Sequence, residues 1–346
     1  MEKKEKIRIA VRADGDDGKE AGMGHIYRSL AYTKLLLSKR NDLSVSFIMR
    51  DIPEGIAKVT ESDFEVVVIP RIPTISDYDN VLSSLCPDLL IIDILGSSND
   101  LMISANRFAR QIVSFDDLND SAVYADIIIN GILWATRMLP ERFGRAKVYQ
   151  GVEYLTLRDE FADINKHPRV LNQSINSILI STGGADGRGF TMQLANILRD
   201  IPFVTDILIT VGPAFPVDFI SKAGKDSKFH FLRDIKNMSS YYLRSDLALI
   251  TGGTVMFEAA ACGTPSVVIS SYENMVPQVN WFGEKQAIIN AGFYPGLLDA
   301  DAIKSKILML NDNYELRCQM SSSSKKLVDG KGLFRVVEIL ESSLNC

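Results

Sequence analysis

Short runs of apolar, often β-branched residues alternate along the chain with longer stretches of helical period. In the first half this pattern predicts strands at Ile7–Val11, Ser44–Met49, Phe64–Ile69, Leu89–Ile92, Ile112–Phe115 and Ile127–Ile129. A helix is predicted over His25–Ser38, with helical stretches between most of the other strands. Several runs, Leu89-Leu90-Ile91-Ile92 among them, are apolar without alternation. A parallel strand has that character when helices cover both faces of its sheet.

The stretch Glu160–Ser177 interrupts the alternation. It carries Asn165, His167, Pro168, Asn172 and Asn176 without a strong period, and it predicts an interdomain linker. The pattern then restarts with strands at Ile178–Ile180, Ile207–Val211, Leu247–Ile250 and Ser266–Ile269. Helices are expected from about Thr191 and over Val255–Cys262. Repeated strand–helix units imply right-handed parallel connections and a doubly wound sheet in each half. The expected organisation is an N-terminal Rossmann-like domain, residues 1–160, and a C-terminal domain, residues 175–346. The last helix, around Phe334–Leu340, is placed to return to the first domain.

Composition changes this picture little. The chain has 346 residues, 46% hydrophobic and 23% charged, the ordinary balance of a globular protein. A net charge of -5 argues against nucleic acid as a partner, since phosphate backbones want a basic face. Cys86, Cys262, Cys318 and Cys346 lie far apart, without a C-x-x-C spacing, and read as reduced thiols. His25, His167 and His230 are also scattered, without zinc spacing. Residues Met1 to Arg8 are charged and lead straight into a strand, which is not a signal peptide pattern. No apolar run approaches the ~20 residues of a membrane helix. A cytoplasmic protein without membrane insertion is expected.

The candidate chemistry lies at strand ends. Gly22-Met23-Gly24-His25-Ile26-Tyr27-Arg28 opens the first helix, where glycines allow close backbone approach to a ligand. Position 27 is Tyr, so this is not a G-x-G-x-x-G dinucleotide fingerprint. The preceding loop carries Asp14, Asp16, Asp17 and Glu20, which would repel a pyrophosphate. His25 falls at a helix start, where the dipole disfavours imidazolium. It is either a general base or a histidine that caps the helix. In the second half, Thr251-Gly252-Gly253-Thr254 ends a strand and starts a helix, with Thr254 as the expected N-cap. That turn is either a phosphate cradle or an ordinary strand–helix connection. Glu258, one turn into the helix, is placed to accept ribose hydroxyls. Ser181-Thr182-Gly183-Gly184-Ala185-Asp186 is a second glycine turn at a strand end, and Tyr272-Glu273-Asn274 offers polar groups to a sugar or forms a solvated turn. Paired aspartates at Asp116-Asp117 are weak grounds for a metal, and no metal site is expected.

Taken in order, these motifs resemble the UDP-sugar hydrolases of the pseudaminic acid pathway and the spore-coat polysaccharide proteins, which share the GT-B fold. The resemblance runs from Arg12-Ala13-Asp14, Gly22-Met23-Gly24-His25 and Arg28 through Phe115-Asp116-Asp117, Ala125-Asp126 and Asn130. It continues through Gly151, Tyr154, Leu157, Arg158 and Phe161, and on through Gly183-Gly184-Ala185-Asp186, Asn237-Met238 and Ser245-Asp246-Leu247-Ala248. It ends with Gly252-Gly253-Thr254, Glu258 and Gly263-Thr264-Pro265. It implies two doubly wound domains facing a central cleft, His25 as catalytic base and Glu258 as nucleotide-binding carboxylate. It also implies uracil resting on backbone near Ile235, with Glu273 and Asn274 contacting the sugar. Gly22, Gly24, Arg28, Gly183, Gly184, Asp186, Gly252, Gly253 and Thr254 complete the expected substrate-binding set. Four positions depart from the family pattern on the sugar side. Asp93-Ile94-Leu95 stands for Asp-His-Tyr, Gly189 for an Asn, and Met275 for a Gln.

The leading expectation is metal-independent, cofactor-free hydrolysis of a UDP-activated, 2,4-diacetamido-2,4,6-trideoxy sugar, releasing UDP, in surface glycan biosynthesis. One alternative is a glycosyltransferase with a UDP-sugar donor, in which His25 activates the acceptor. The other is a non-catalytic nucleotide-sugar-binding protein.

Overall fold

Strands that are apolar on both sides need helices on both sides, and the chain satisfies this twice. The computed structural model describes residues 6–15, 23–94, 96–117, 119–162, 164, 169–223 and 226–344. The chain divides into two units, Met1–Arg158 with Lys331–Cys346, and Asp159–Gly330.

In the first unit the elements run β1 (Ile7–Ala13), α1 (Gly24–Lys39), β2 (Leu43–Arg50), α2 (Pro53–Thr60), β3 (Glu65–Ile69), α3 (Ile75–Leu85), β4 (Leu89–Asp93), α4 (Asn99–Phe108), β5 (Gln111–Phe115), β6 (Ile127–Asn130), β7 (Arg142–Phe143) and β8 (Ala146–Gln150). The sheet order is β3-β2-β1-β4-β5-β6-β8-β7, parallel except for β7 against β8. All five residues of β4 are buried, as its unalternating apolar run requires. One face of the sheet packs Ile9, Val11, Leu89 and Val113 with Ile26, Leu30 and Leu36 of α1. The other packs Ala10, Leu90 and Ile112 with Leu82 of α3 and Leu101 and Ala105 of α4.

The final helix, α12 (Gly332–Leu344), belongs to this unit. Its Leu333, Val336, Val337 and Leu340 recur at three- and four-residue spacing and enter the α1 side of the core. Gly332 is required at its start, because a Cβ there would lie 2.0 Å from the Leu155 carbonyl oxygen.

In the second unit the elements run β9 (Ser177–Ser181), α5 (Phe190–Arg199), β10 (Asp206–Thr210), α6 (Phe219–Lys222), β11 (Phe229–Leu232), α7 (Ser239–Arg244), β12 (Leu247–Thr251), α8 (Thr254–Cys262), β13 (Ser266–Ser270), α9 (Val276–Glu284), β14 (Ile289–Phe293), α10 (Ala300–Asp312) and α11 (Tyr314–Leu327). The six strands are parallel, in the order β11-β10-β9-β12-β13-β14. Leu194 and Leu198 of α5 and Ile303 and Ile307 of α10 pack on Ile178, Ile180 and Leu249. Helix α8 is buried from Met256 to Cys262, and Glu258 is its one charged residue.

The described part of the stretch expected to be a linker is packed. Phe161 is fully buried, and Glu160 accepts from the backbone N–H groups of Met238 (3.4 Å) and Ser239 (3.2 Å). Arg169 donates to the Tyr242 and Ser245 carbonyls, and the Asn172 amide donates to Asp246 at 2.7 Å. Its turn-rich composition marks irregular backbone, but side-chain partners satisfy that backbone and fix it to the second unit. Among the described residues no helix is long and apolar enough to cross a membrane.

Each sheet reverses its winding once, between β1 and β4 and between β9 and β12. In an open α/β sheet the loops beyond the carboxyl ends of the strands at such a reversal form the ligand crevice.

Candidate active site

At the β1/β4 reversal, α1 opens at Gly24 behind Met23, with no side-chain cap. His25 is the second helical residue. Its ring does not cap the helix; Nδ1 lies 2.8 Å from Oδ1 of Asp93, the last residue of β4. Asp93 is fully buried and also receives Arg28 Nε at 2.9 Å and the Ser29 hydroxyl at 3.1 Å. The Tyr32 phenol donates to Ser29 at 3.0 Å. Residues 25, 28, 29 and 32 share one face of α1, because three- and four-residue steps return to the same side of a helix. That face is laid against the ends of β4 and β5.

Burial alone would raise the Asp93 pKa. The Arg28 charge and the hydrogen bonds from His25 and Arg28 outweigh it and hold the group down to about 2. Asp93 is therefore a carboxylate at neutral pH and can only accept. The His25 ring proton then belongs on Nδ1, and the neutral ring keeps its lone pair on Nε2, a tautomer assigned from this hydrogen bond. The His25 side chain is 15% exposed, so the ring is held yet reachable.

Arg28 was expected to bind substrate. Its guanidinium instead joins Asp93 to Asp116 and lies 5.1 Å from the centroid of the Phe115 ring. Burial would lower its pKa, but the two carboxylates hold it charged and above its ordinary value. It is a buried counter-ion, with only 10% of its side chain exposed. Asp116 also receives the Ile132 N–H at 3.1 Å. Asp117 receives the N–H groups of Ser97 (3.0 Å) and Asn119 (2.9 Å) and the Ser114 hydroxyl (3.1 Å). Both aspartates are thus engaged by protein donors. Among the described residues no group of three or more His, Cys, Asp or Glu is arranged to hold a metal. Gly22 lies outside the described residues. Gly24 meets nothing within 4 Å of where a Cβ would be.

At the β9/β12 reversal the glycine turns sit on adjacent strands. Gly183 has φ +93°, a conformation that favours glycine. Gly184 accepts the Ala214 N–H at 3.0 Å, and a Cβ on Gly212 would come within 2.3 Å of the Gly184 oxygen. Asp186, expected to contact substrate, receives the N–H groups of Phe190 (2.8 Å) and Thr191 (3.0 Å) at the start of α5, whose N-cap is Gly189. The cap of α8 is Gly253, and Thr254 is already inside the helix, so the expected threonine N-cap is absent. A glycine cap offers no side-chain acceptor and leaves the first-turn N–H groups to other partners. Gly252 is required by packing, since a Cβ would lie 2.4 Å from Val279 Cγ2, and its carbonyl receives the buried Gln278 amide.

Glu258 is 8% exposed and receives the Tyr242 phenol at 3.3 Å. Ile235 is half-buried in the loop after β11, next to Asp234 at φ +53°. Glu273 and Asn274 are exposed in a single 3-10 turn, Glu273–Met275, directly after β13. Met275 of that turn lies against Gly252 and Gly253. Sequence reasoning overlooked Arg188. Its guanidinium donates to the Ser271 (3.3 Å) and Pro295 (2.9 Å) carbonyls and stacks 4.9 Å from the centroid of the Tyr272 ring. It also overlooked the role of Asp93, although a carboxylate closing an otherwise apolar strand is a readable signal.

This fold, two parallel-sheet Rossmann-like units, is the GT-B fold of known glycosyltransferase structures. The chain matches MurG of Acinetobacter baumannii with a TM-score of 0.69 at 13% identity, over 97% of this chain and 99% of that one. It matches CalG4, the calicheamicin glycosyltransferase, with a TM-score of 0.64 at 14% identity, over 98% of each chain. The S. aureus MnaA–UDP co-structure gives a TM-score of 0.60 at 14% identity, over 98% and 97%. In sequence, the chain is similar to the spore coat polysaccharide biosynthesis protein SpsG of Bacillus subtilis (strain 168). The two are 26% identical over 342 residues, 97% of this chain and 98% of that protein. No protein-family model matches the chain.

Proposed function

We propose that this protein cleaves the anomeric C–O bond of a UDP-sugar and releases UDP, with His25 as general base. The observation that carries this is the 2.8 Å contact between His25 Nδ1 and the buried Asp93 carboxylate. It orients the ring and leaves Nε2 as the proton acceptor, the arrangement a general base needs. Nε2 takes a proton from the incoming hydroxyl, whose oxygen bonds to the anomeric carbon. The bond to the diphosphate breaks, and the electron pair leaves on UDP. The uncapped start of α8 at Gly253 and Thr254 stabilises the departing charge. Glu258 receives the ribose, and the backbone near Ile235 receives the uracil. Gly183, Gly184, Gly252 and Gly253 bring backbone close to the ligand, and Glu273 and Asn274 meet the sugar.

In the leading form of the proposal the incoming hydroxyl is water and the sugar is of the 2,4-diacetamido-2,4,6-trideoxy class. The likeness to SpsG, a polysaccharide biosynthesis protein, supports a surface-glycan setting. A second reading, transfer to an acceptor hydroxyl, is favoured by the likeness to the glycosyltransferase CalG4. The test is to incubate the protein with a panel of UDP-sugars and measure free UDP with and without candidate acceptors. Release without acceptor supports hydrolysis, and release only with acceptor supports transfer. Binding without release in any condition removes the catalytic reading.

A further inference from the structure

The second unit holds a cavity that the proposed reaction does not use. Its volume is about 520 Å³, within the ordinary range for small-molecule sites. It lies between the segment 169–171 and one side of α11, and its lining among the described residues includes Arg169, Lys325 and Lys326 but no carboxylate. Ser321, Ser322 and the Tyr314 ring complete the polar part of the wall.

The cavity is at the opposite edge of the sheet from the glycine turns. Arg169 donates to the carbonyls of Tyr242 and Ser245, which precede β12, whereas Gly252 follows it. Five strand residues at ~3.3 Å each separate the two edges by roughly 16 Å.

The charged groups of the wall, among the described residues, are all cations. The Arg169 Nε–H is buried and makes no hydrogen bond among the described residues. A buried donor without an acceptor is costly and rare in a folded protein. Burial brings the Arg169 pKa down to about 10, against weaker opposing influences from Cys262 and Asp246. Lys325 is also lowered, by burial and by the charge of Arg169. Lys326 stands at the exposed rim.

We propose that this cavity binds the phosphoryl group of a small phosphorylated molecule. The two lysines would meet its oxygens beside the fixed charge of Arg169, with the serine hydroxyls as further donors. Ammonium groups around a phosphate form strong charge-assisted bonds, and a phosphoryl group would answer the positive charge of this wall. A free metabolite and a phospholipid headgroup share this chemistry, and the test below distinguishes them.

The test titrates inorganic phosphate into the full-length protein calorimetrically, with and without saturating UDP, and maps amide hydrogen exchange. One-site binding that persists with UDP and protects residues 314–326 is expected. Lys326→Glu, at the exposed rim, should weaken it roughly ten- to a hundredfold, the scale of one charged partner, while UDP affinity stays the same. Arg169→Gln serves as the second variant. Co-sedimentation with phosphatidylglycerol vesicles, lost in Lys326→Glu and absent with phosphatidylcholine, would assign the phosphoryl group to a lipid. No binding of phosphate or vesicles overturns the proposal, as does wild-type affinity in both variants or protection elsewhere. Failure to bind UDP would count against the nucleotide proposal alone.

Discussion

Replacing Asp93 with asparagine separates the roles assigned to the first unit. The side chain is fully buried, so solvent cannot replace what the charge does. Arg28 would keep Asp116 but lose its other carboxylate. Removing one partner of a buried ion pair typically costs about 3–5 kcal/mol. Against a total stability of about 5–15 kcal/mol, Asp93→Asn should still fold, with a clearly lower urea midpoint. Catalysis should suffer for a different reason. An asparagine can offer Nδ1 either its oxygen or its NH2, so the ring tautomer is no longer dictated. Turnover should fall by about 10²–10⁴, with the affinity for UDP unchanged, since the proposed nucleotide residues are all in the other unit. The assays are single-turnover UDP release and equilibrium titration of UDP. Full turnover in Asp93→Asn would refute the orienting role. Parallel loss of UDP affinity would refute the division of labour.

The same group predicts a pH dependence of stability. Its folded pKa, about 2, lies below the ordinary value of 3.8. The contribution is therefore complete above about pH 4–5 and is lost as pH falls towards 2, and it amounts to about 2 kcal/mol. Urea midpoints of the wild type should drop more steeply across that window than those of Asp93→Asn. Equal slopes would show that Asp93 does not carry the linkage.

Four further outcomes are expected. His25→Asn should lower kcat by about 10²–10⁴ and leave UDP affinity intact, measured by initial rates and calorimetry. Glu258→Ala should weaken UDP binding by about 1.5–3 kcal/mol, and an unchanged dissociation constant would remove it from the nucleotide site. Asp186→Ala should cost about 1 kcal/mol of stability through loss of the acceptor at the start of α5, with UDP affinity unaltered; a reversed pattern would restore it as a ligand. Turnover should survive dialysis against EDTA, because Asp116 and Asp117 are already engaged by Arg28, Ser97, Ser114 and Asn119. Loss restored by Mg²⁺ would return them to the mechanism.

The fold class was legible because it depends on period and punctuation, both local properties. Unalternating runs such as Leu89–Ile92 announced parallel strands, and glycines at 183, 184, 252 and 253 announced turns at strand ends. What a polar side chain does at such a turn was less legible, because it depends on partners distant in sequence. Asp186 and Thr254 both stand near helix starts, yet Asp186 receives the first N–H groups of α5 from outside the helix, whereas Thr254 is already inside α8. The difference lies in where each backbone enters its helix, and helix boundaries are the least readable feature of a sequence. Arg28 shows the same limit. Its place three residues after His25 was visible, but not that this face meets two carboxylates 65 and 88 residues away.

That distant pairing bears directly on the chemistry. A carboxylate as buried as Asp93 would, on burial alone, favour its protonated form. Protonated, it could donate as well as accept, and the proton on the His25 ring would no longer be confined to Nδ1. Arg28 prevents this by placing a permanent positive charge against Asp93, and Asp116 makes that charge tolerable by sharing it. The three- and four-residue spacing of His25, Arg28 and Ser29 delivers imidazole, counter-ion and hydroxyl donor to one carboxylate from one helix face. In the proposed reaction Arg28 acts at one remove, as a positioning residue. It keeps Asp93 ionised, and an ionised Asp93 keeps the lone pair of His25 on Nε2.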